Sequence, residues 1–235
     1  MGVRRGQFQI LTAVILVTLM ILARTVTVSN YTVNLRDVDS DVASIQAQVN
    51  QAVLASLAYA SNTGTVTDVQ SRFTDALGEA LGNITAANYG LYLQIISASA
   101  TITWDDTPAT TYGAATINIT STTLGSSWTL VSSQTLTQYV EAENATSTRP
   151  LPSLVTFQVP VQLTLNGISA TWVNGTVLYD NGSYPAVLEQ NYGNGDFLLQ
   201  FSIPYSSLGL YDVALLSWDA SMVVVSSETT LAASF

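Results

Sequence analysis

The side chains with the most specific chemistry in this sequence are six asparagines. Each opens an Asn-X-Ser/Thr triplet: Asn30, Asn83, Asn118, Asn144, Asn174 and Asn181. That triplet is the acceptor for N-linked glycans, so the sequence predicts a glycosylated surface protein. Carboxylates come next. Asp37, Asp39 and Asp41 alternate as at the start of a calcium loop. Such a loop needs Gly at its sixth position and Glu at its twelfth, where this chain has Val42 and Gln48. Acids at a helix N-terminus, favoured by the helix dipole, explain the three aspartates better. Asp105-Asp106, beside Thr107 and Pro108, reads as a turn between strands. Adjacent residues in a turn point apart, so the pair does not form an acid–base couple. Tyr179, Tyr184, Tyr192, Tyr205 and Tyr211 gather in the C-terminal block. They can anchor a ligand or pack the edges and core of a sandwich, and packing accounts for most of them.

Whole classes of chemistry are removed by composition. The chain contains no Cys, no His and no Lys. Thiolate nucleophiles, imidazole bases, imidazole metal ligands, Schiff bases and P-loop phosphate binding all lose their central residue. No enzyme activity, no metal and no cofactor are therefore expected, and a surface hydrolase is the remotest reading. A net charge of −10 with no basic patch argues against nucleic acid as a partner. Charged residues make up only 9%, and 25 Ser with 30 Thr fill their place. A surface built from hydroxyls fits an extracellular wall or filament protein.

Charge is segregated along the chain. Residues 1–36 carry Arg4, Arg5, Arg24 and Arg36 and no acid, while all 16 acids follow. Between Arg5 and Arg24, Gly6 to Ala23 is uncharged. As a helix it spans about 27 Å, enough to cross the core of a bilayer. Arg4 and Arg5 place its start in the cytoplasm. A cleaved secretory signal fits less well, because a cut after Ala23 puts Ile21 where a small residue is needed.

Arg4-Arg5-Gly6-Gln7 ahead of a long apolar helix resembles the class III signal of archaeal type IV pilins and pilin-like proteins. The resemblance implies processing between Gly6 and Gln7, with the apolar helix retained. It covers about the first 30 residues, and Leu11 stands where many such pilins carry a Glu.

Thr25 to Leu35 alternates Val26, Val28, Val33 and Leu35 with polar residues. It reads as a continuation of the anchor helix, or as a strand donated to a neighbouring subunit. Val42, Ile45, Val49, Val53 and Leu57 recur at helical spacing over Asp41–Ala60. A second helix, capped by Thr67 or Asp68, presents Val69, Phe73, Leu77, Ala80 and Leu81 and stops near Gly82. The period then becomes two. Leu91 to Trp104 reads as a strand with a bulge at Ile95-Ile96, followed by strands at 112–122 and 127–140. Glu141–Pro152 is polar, holds Pro150 and Pro152, and reads as a linker. Beyond it Val155, Phe157, Val159, Val161, Leu163 and Leu165 alternate without a break into Asn166-Gly167, a two-residue hairpin turn. That turn pairs Leu165 with Ile168, Leu163 with Ala170 and Val161 with Trp172. Further strands are expected at 176–179, 197–203, 210–218 and 222–231.

These signals predict an α+β protein: an N-terminal transmembrane helix, a helical/β membrane-proximal unit, and a C-terminal Ig-like β-sandwich. The expected divisions are 1–36, 37–140, a linker at 141–152, and 153–235. The expected function is a single-pass, membrane-anchored extracellular structural or adhesive protein, minor-pilin-like or part of the cell envelope. Its expected partners are the membrane, other pilin-like subunits or envelope proteins, and surface glycans. The alternative is a secreted filament subunit that donates residues 25–35.

Overall fold

A computed structural model describes residues 42–62, 68–87, 90–103, 108–121 and 125–233. The chain divides into two compact units, Met1–Ala47 and Gln48–Phe235. In the first, described residues 42–47 are helical and Ile45 is buried. Everything below concerns the second. Among the described residues no helix is long and apolar enough to cross a membrane. The expected anchor, Gly6 and Gln7, the 25–35 segment and Asp37 to Asp41 lie outside the described residues, as does Asp105-Asp106.

Among the described residues the protein is mostly antiparallel sheet with two helices. Helix α1 covers residues 48–62 of this unit and buries Val49, Ala52, Val53, Leu57 and Ala60, the face its spacing predicts. Ser56, buried on the same face, donates to Ala52 O at 2.6 Å, so no hydroxyl is stranded there. Helix α2 (Val69–Ala87) buries Val69, Phe73, Leu77 and Leu81. It runs past the expected stop at Gly82, since Gly82 faces open space and tertiary packing of Leu81 outweighs its weak helix propensity.

Strands β1 (Leu91–Thr103), β2 (Ala109–Ser121) and β3 (Ser126–Val140) form an antiparallel meander. Its register shifts between Ile95 and Ser97, where the phase change in the sequence predicts a bulge. Leu57 of α1 and Phe73 of α2 both press on β2 at Gly113. A Cβ there would lie 3.0 Å from one Leu57 methyl and 3.2 Å from the Phe73 ring.

Residues 141–152, expected as a linker, are instead built into the sheet. A 3-10 turn (Ala142–Asn144) leads into β4 (Thr146–Leu151), which pairs with β5 (Leu154–Leu165). The prolines do not prevent this, because β4 is an edge strand and need not donate every N–H outward. β5 also pairs directly with β3, from Leu136↔Leu165 to Val140↔Val161.

The Asn166-Gly167 turn forms as expected, with both residues at positive φ. Leu165 pairs with Ile168, and Ala170 N donates to Leu163 O at 3.0 Å. The hairpin then ends: β6 is only Ile168–Ser169, and Trp172 does not reach Val161. Val161 pairs with Phe197 of β9 (Asp196–Pro204), which takes the long edge of β5. The remaining strands are β7 (Asn174–Tyr179), β8 (Gly182–Gly193), β10 (Leu210–Trp218) and β11 (Val224–Ala232). β8 joins two halves of the sheet. Its first residues pair with β7, and those from Val187 pair with β9. The hydrogen-bonded order is β1-β2-β3-β5-β9-β8-β7-β10-β11, with β4 and β6 beside β5.

This network folds over on itself in a sandwich-like way. Phe157 of β5 meets Tyr211 of β10 edge-on at 5.2 Å between ring centroids, and lies 5.7 Å from Phe201 across the β5–β9 pair. Val155, Phe157, Val159, Val161 and Leu163 are all buried, so the alternation in β5 reports its core face correctly. Gln158 and Gln162 point to the other side, bonded to Gln200 and Asp196 at 3.0 and 2.9 Å.

Candidate functional site

The sequons lie on different elements. Asn83 is exposed on α2, and the hydroxyl of its Thr85 is taken by Leu81 O at 2.8 Å. Asn144 is exposed at the 3-10 turn, its amide donating to Glu141 Oε2 at 2.9 Å. Asn174 is exposed at the start of β7, and its Oδ1 accepts from Gly175 N. Asn181 is exposed at the β7–β8 turn, where Asp180 and Asn181 both take positive φ. Asn118 differs. It is half-buried in mid-β2, and its Oδ1 accepts the Thr129 hydroxyl at 2.8 Å. Asn30 lies outside the described residues.

The tyrosines separate by role. Tyr211 is fully buried, and its hydroxyl both accepts from Ser206 N at 2.9 Å and donates to Ser206 O at 3.1 Å. It therefore ties the β9–β10 connection to the core. Tyr179 packs against it with the rings tilted, 5.6 Å between centroids. Burial, reinforced by Tyr211, Asp180 and Tyr184, pushes the Tyr179 hydroxyl above its ordinary value, against a smaller opposing effect of Ser206. Tyr205 lies under the Arg149 guanidinium at 3.7 Å, a cation–π contact that fastens β4. Tyr192 is exposed and Tyr184 half-buried.

A concavity lies on the outer face of β7, β8, β10 and β11. It is an open groove of about 800 Å³ lined by Asp180, Asp212, Glu228 and Thr230 among others. Asp212 accepts the Thr230 hydroxyl at 2.6 Å. A smaller hollow of about 270 Å³ shares Leu178 and Ser183 with the groove and adds Leu216, Trp218 and Ser226. Ser226 is 2% exposed, and its hydroxyl has no hydrogen-bond partner among the described residues. One end of this surface offers carboxylate acceptors and hydroxyls, the other an indole and aliphatic side chains. Such a surface can hydrogen-bond and stack a polyhydroxylated ligand. Among the described residues no three His, Cys, Asp or Glu side chains are grouped to hold a metal ion.

Sequence reading does not find this groove. Asp212, Glu228 and Thr230 come together only because β10 and β11 pair as Asp212↔Thr230 and Ala214↔Glu228. Their alternation is visible in the sequence, but which strand neighbours which is not.

No protein-family model matches the chain, and no curated protein is similar to it.

Proposed function

We propose that this chain is a membrane-anchored surface protein, pilin-like or part of the cell envelope, with a structural or adhesive role. The observation that carries this reading is the charge layout. Arg4-Arg5 precedes an uncharged run from Gly6 to Ala23, and all 16 acids lie beyond residue 36. An anchor at that end leaves the β-rich unit outside the cell. The described unit suits that setting, since sheet pairing and aromatic packing hold it without disulfides.

The sandwich-like half is read as Ig-like. Tyr211, bonded to the backbone of Ser206, is similar to the tyrosine corner of such sandwiches. Glycans are placed on Asn83, Asn144, Asn174 and Asn181, and contact with surface glycans in the β7–β8–β10–β11 groove.

The test is cell fractionation with protease applied outside intact cells. The full-length chain should need detergent for extraction, and residues beyond about 40 should be digested, as expected for an outward-facing domain. A freely soluble full-length chain sinks the anchored reading. The alternative, donation of residues 25–35 to a neighbour, draws on the outer edge of β1, whose strand partner is β2 alone among the described residues and from which the incoming strand would displace the Gln70 amide at Ala98 and Ala100. A mature N-terminus at Gln7 supports the anchored reading, and one at Arg24 the donated strand.

A further inference from the structure

Strands β1, β2 and β3 contain no Asp, Glu, Lys or Arg. One face of this meander is covered. Leu57 and Phe73 press on Gly113, Thr111 Oγ1 donates to Val224 O at 2.7 Å, and Gln138 Nε2 reaches Leu215 O. Among the described residues nothing covers the opposite face. Register lines up its side chains in rows across the three strands, such as Ser97–Thr116–Val131 and Thr101–Tyr112–Thr135. Val131 is 67% exposed and Tyr92 60%. Every charged side chain described from Gln48 onward lies either within 68–79 or beyond Val140.

This uncharged face matters because the rest of the molecule is acidic. Residues 37–235 carry all 16 acids against Arg72 and Arg149. Two copies repel wherever such surfaces approach. The bare meander face escapes that repulsion, and it has the marks of an interface core: depletion of charge, with Tyr and aliphatic groups present. Ser and Thr hydroxyls both donate and accept, so the face is complementary to itself. Three strands about 4.8 Å apart and β1's 13 residues at about 3.3 Å each give roughly 600 Å² in plan. A stable pair needs about 800 Å² of accessible surface per partner, which side-chain relief supplies.

We propose that this face is the contact between copies of this chain, with two β1–β2–β3 faces meeting about a two-fold axis. The proposal rests on the reading of the chain as an assembling surface protein and specifies where it assembles. It also assigns Asn118. That amide sits on the contact face, so a glycan there would hold the partner away. Asn118 is therefore the sequon that stays bare.

The absence of cysteine makes the test direct, because any single introduced thiol is the only one. Full-length chains carrying Thr116→Cys, Val131→Cys or, as a control on exposed β8, Gln190→Cys are treated with a short bis-maleimide in the producing cells. Thr116→Cys or Val131→Cys should give a product of twice the chain mass, and Gln190→Cys should not. Adding Thr101→Glu should reduce that product at least tenfold by placing like charges face to face. Mass spectrometry of the unaltered protein should find Asn118 unmodified. Four results each overturn the proposal: no cross-link from either position, a product of another mass, a yield indifferent to Thr101→Glu, or a glycan on most copies of Asn118. Fractionation of the same cells keeps the two readings apart. A membrane-bound chain that does not cross-link sinks the face contact alone. A soluble chain sinks the anchor, and the cross-link still decides the contact.

Discussion

Single residues with no reactive chemistry hold much of this structure. Gly113 is the clearest. Leu57 and Phe73 leave no room for a side chain there, so Gly113→Val should cost about 1–3 kcal/mol through overpacking. Urea unfolding of the variant checks this, and an unchanged midpoint would mean the helices do not press on β2. Tyr211→Phe keeps the ring but strands the N–H and C=O of Ser206, and should cost about 1–3 kcal/mol. Tyr179 gives a pH signature. Its folded pKa lies above the unfolded value of 10.0, so the fold favours the neutral phenol. The stabilisation is complete below pH 10 and fades as pH rises through the folded value. Wild type should therefore lose stability above pH 10 more steeply than Tyr179→Phe, measured by urea unfolding on both sides of that pH. None of these roles is legible in the sequence. A glycine in a strand shows that something comes close, not what, and eleven tyrosines look alike until one is found inside.

Among the elements, long amphipathic stretches were legible and short or polar ones were not. β5 announced itself because five core residues alternate without interruption. β8 did not, since its only fully buried residue is Ala186 and Pro185 stands beside it. β4 was hidden for the same reason, with two exposed ends of a proline-containing edge. The β5 pattern yields a sharp contrast. Val159→Asp buries an unpaired carboxylate and should unfold the protein, whereas Gln158→Asp faces outward and should cost about 1 kcal/mol or less. Gln162→Asp should be worse than Gln158→Asp, because Asp196 sits opposite and would face a like charge. Thermal unfolding followed by circular dichroism ranks the three. The outer edge of β1 is guarded by a side chain. Gln70 donates to Ala98 O at 2.9 Å and accepts from Ala100 N at 2.6 Å, imitating one residue of a parallel strand. Gln70→Ala leaves Ala100 N without its acceptor and should cost about 1 kcal/mol, and it should speed aggregation, read by light scattering, because it uncovers the edge. An unaltered aggregation rate would show that the amide is no guard.

At the scale of the whole molecule, the hydrogen bonds run without a break across residues 141–152. β3 lies against β5, and Asn166 at the β5–β6 turn bonds Thr135 N and Gln134 Oε1, both at 2.8 Å. A fragment beginning at Ser153 loses β3 and β4 together, so it should melt well below a fragment beginning at Gln48. Equal melting temperatures would mean those ladders add nothing. The sequence suggested a boundary here because prolines and polar residues mark edges as well as linkers, and local composition does not distinguish the two.

The exchange made by β8 also bears on how the molecule carries load. One strand belongs to both halves, held by β7 along its first part and by β9 along the rest. Tension passing between the halves runs through that shared strand and through the short β6–β7 and β9–β10 connections, so little chain can lengthen between them. A surface protein tugged by flow or by a neighbour would then act as one stiff link. Stretched singly between a tip and a surface, the unit from Gln48 onward should give way in one rupture rather than two.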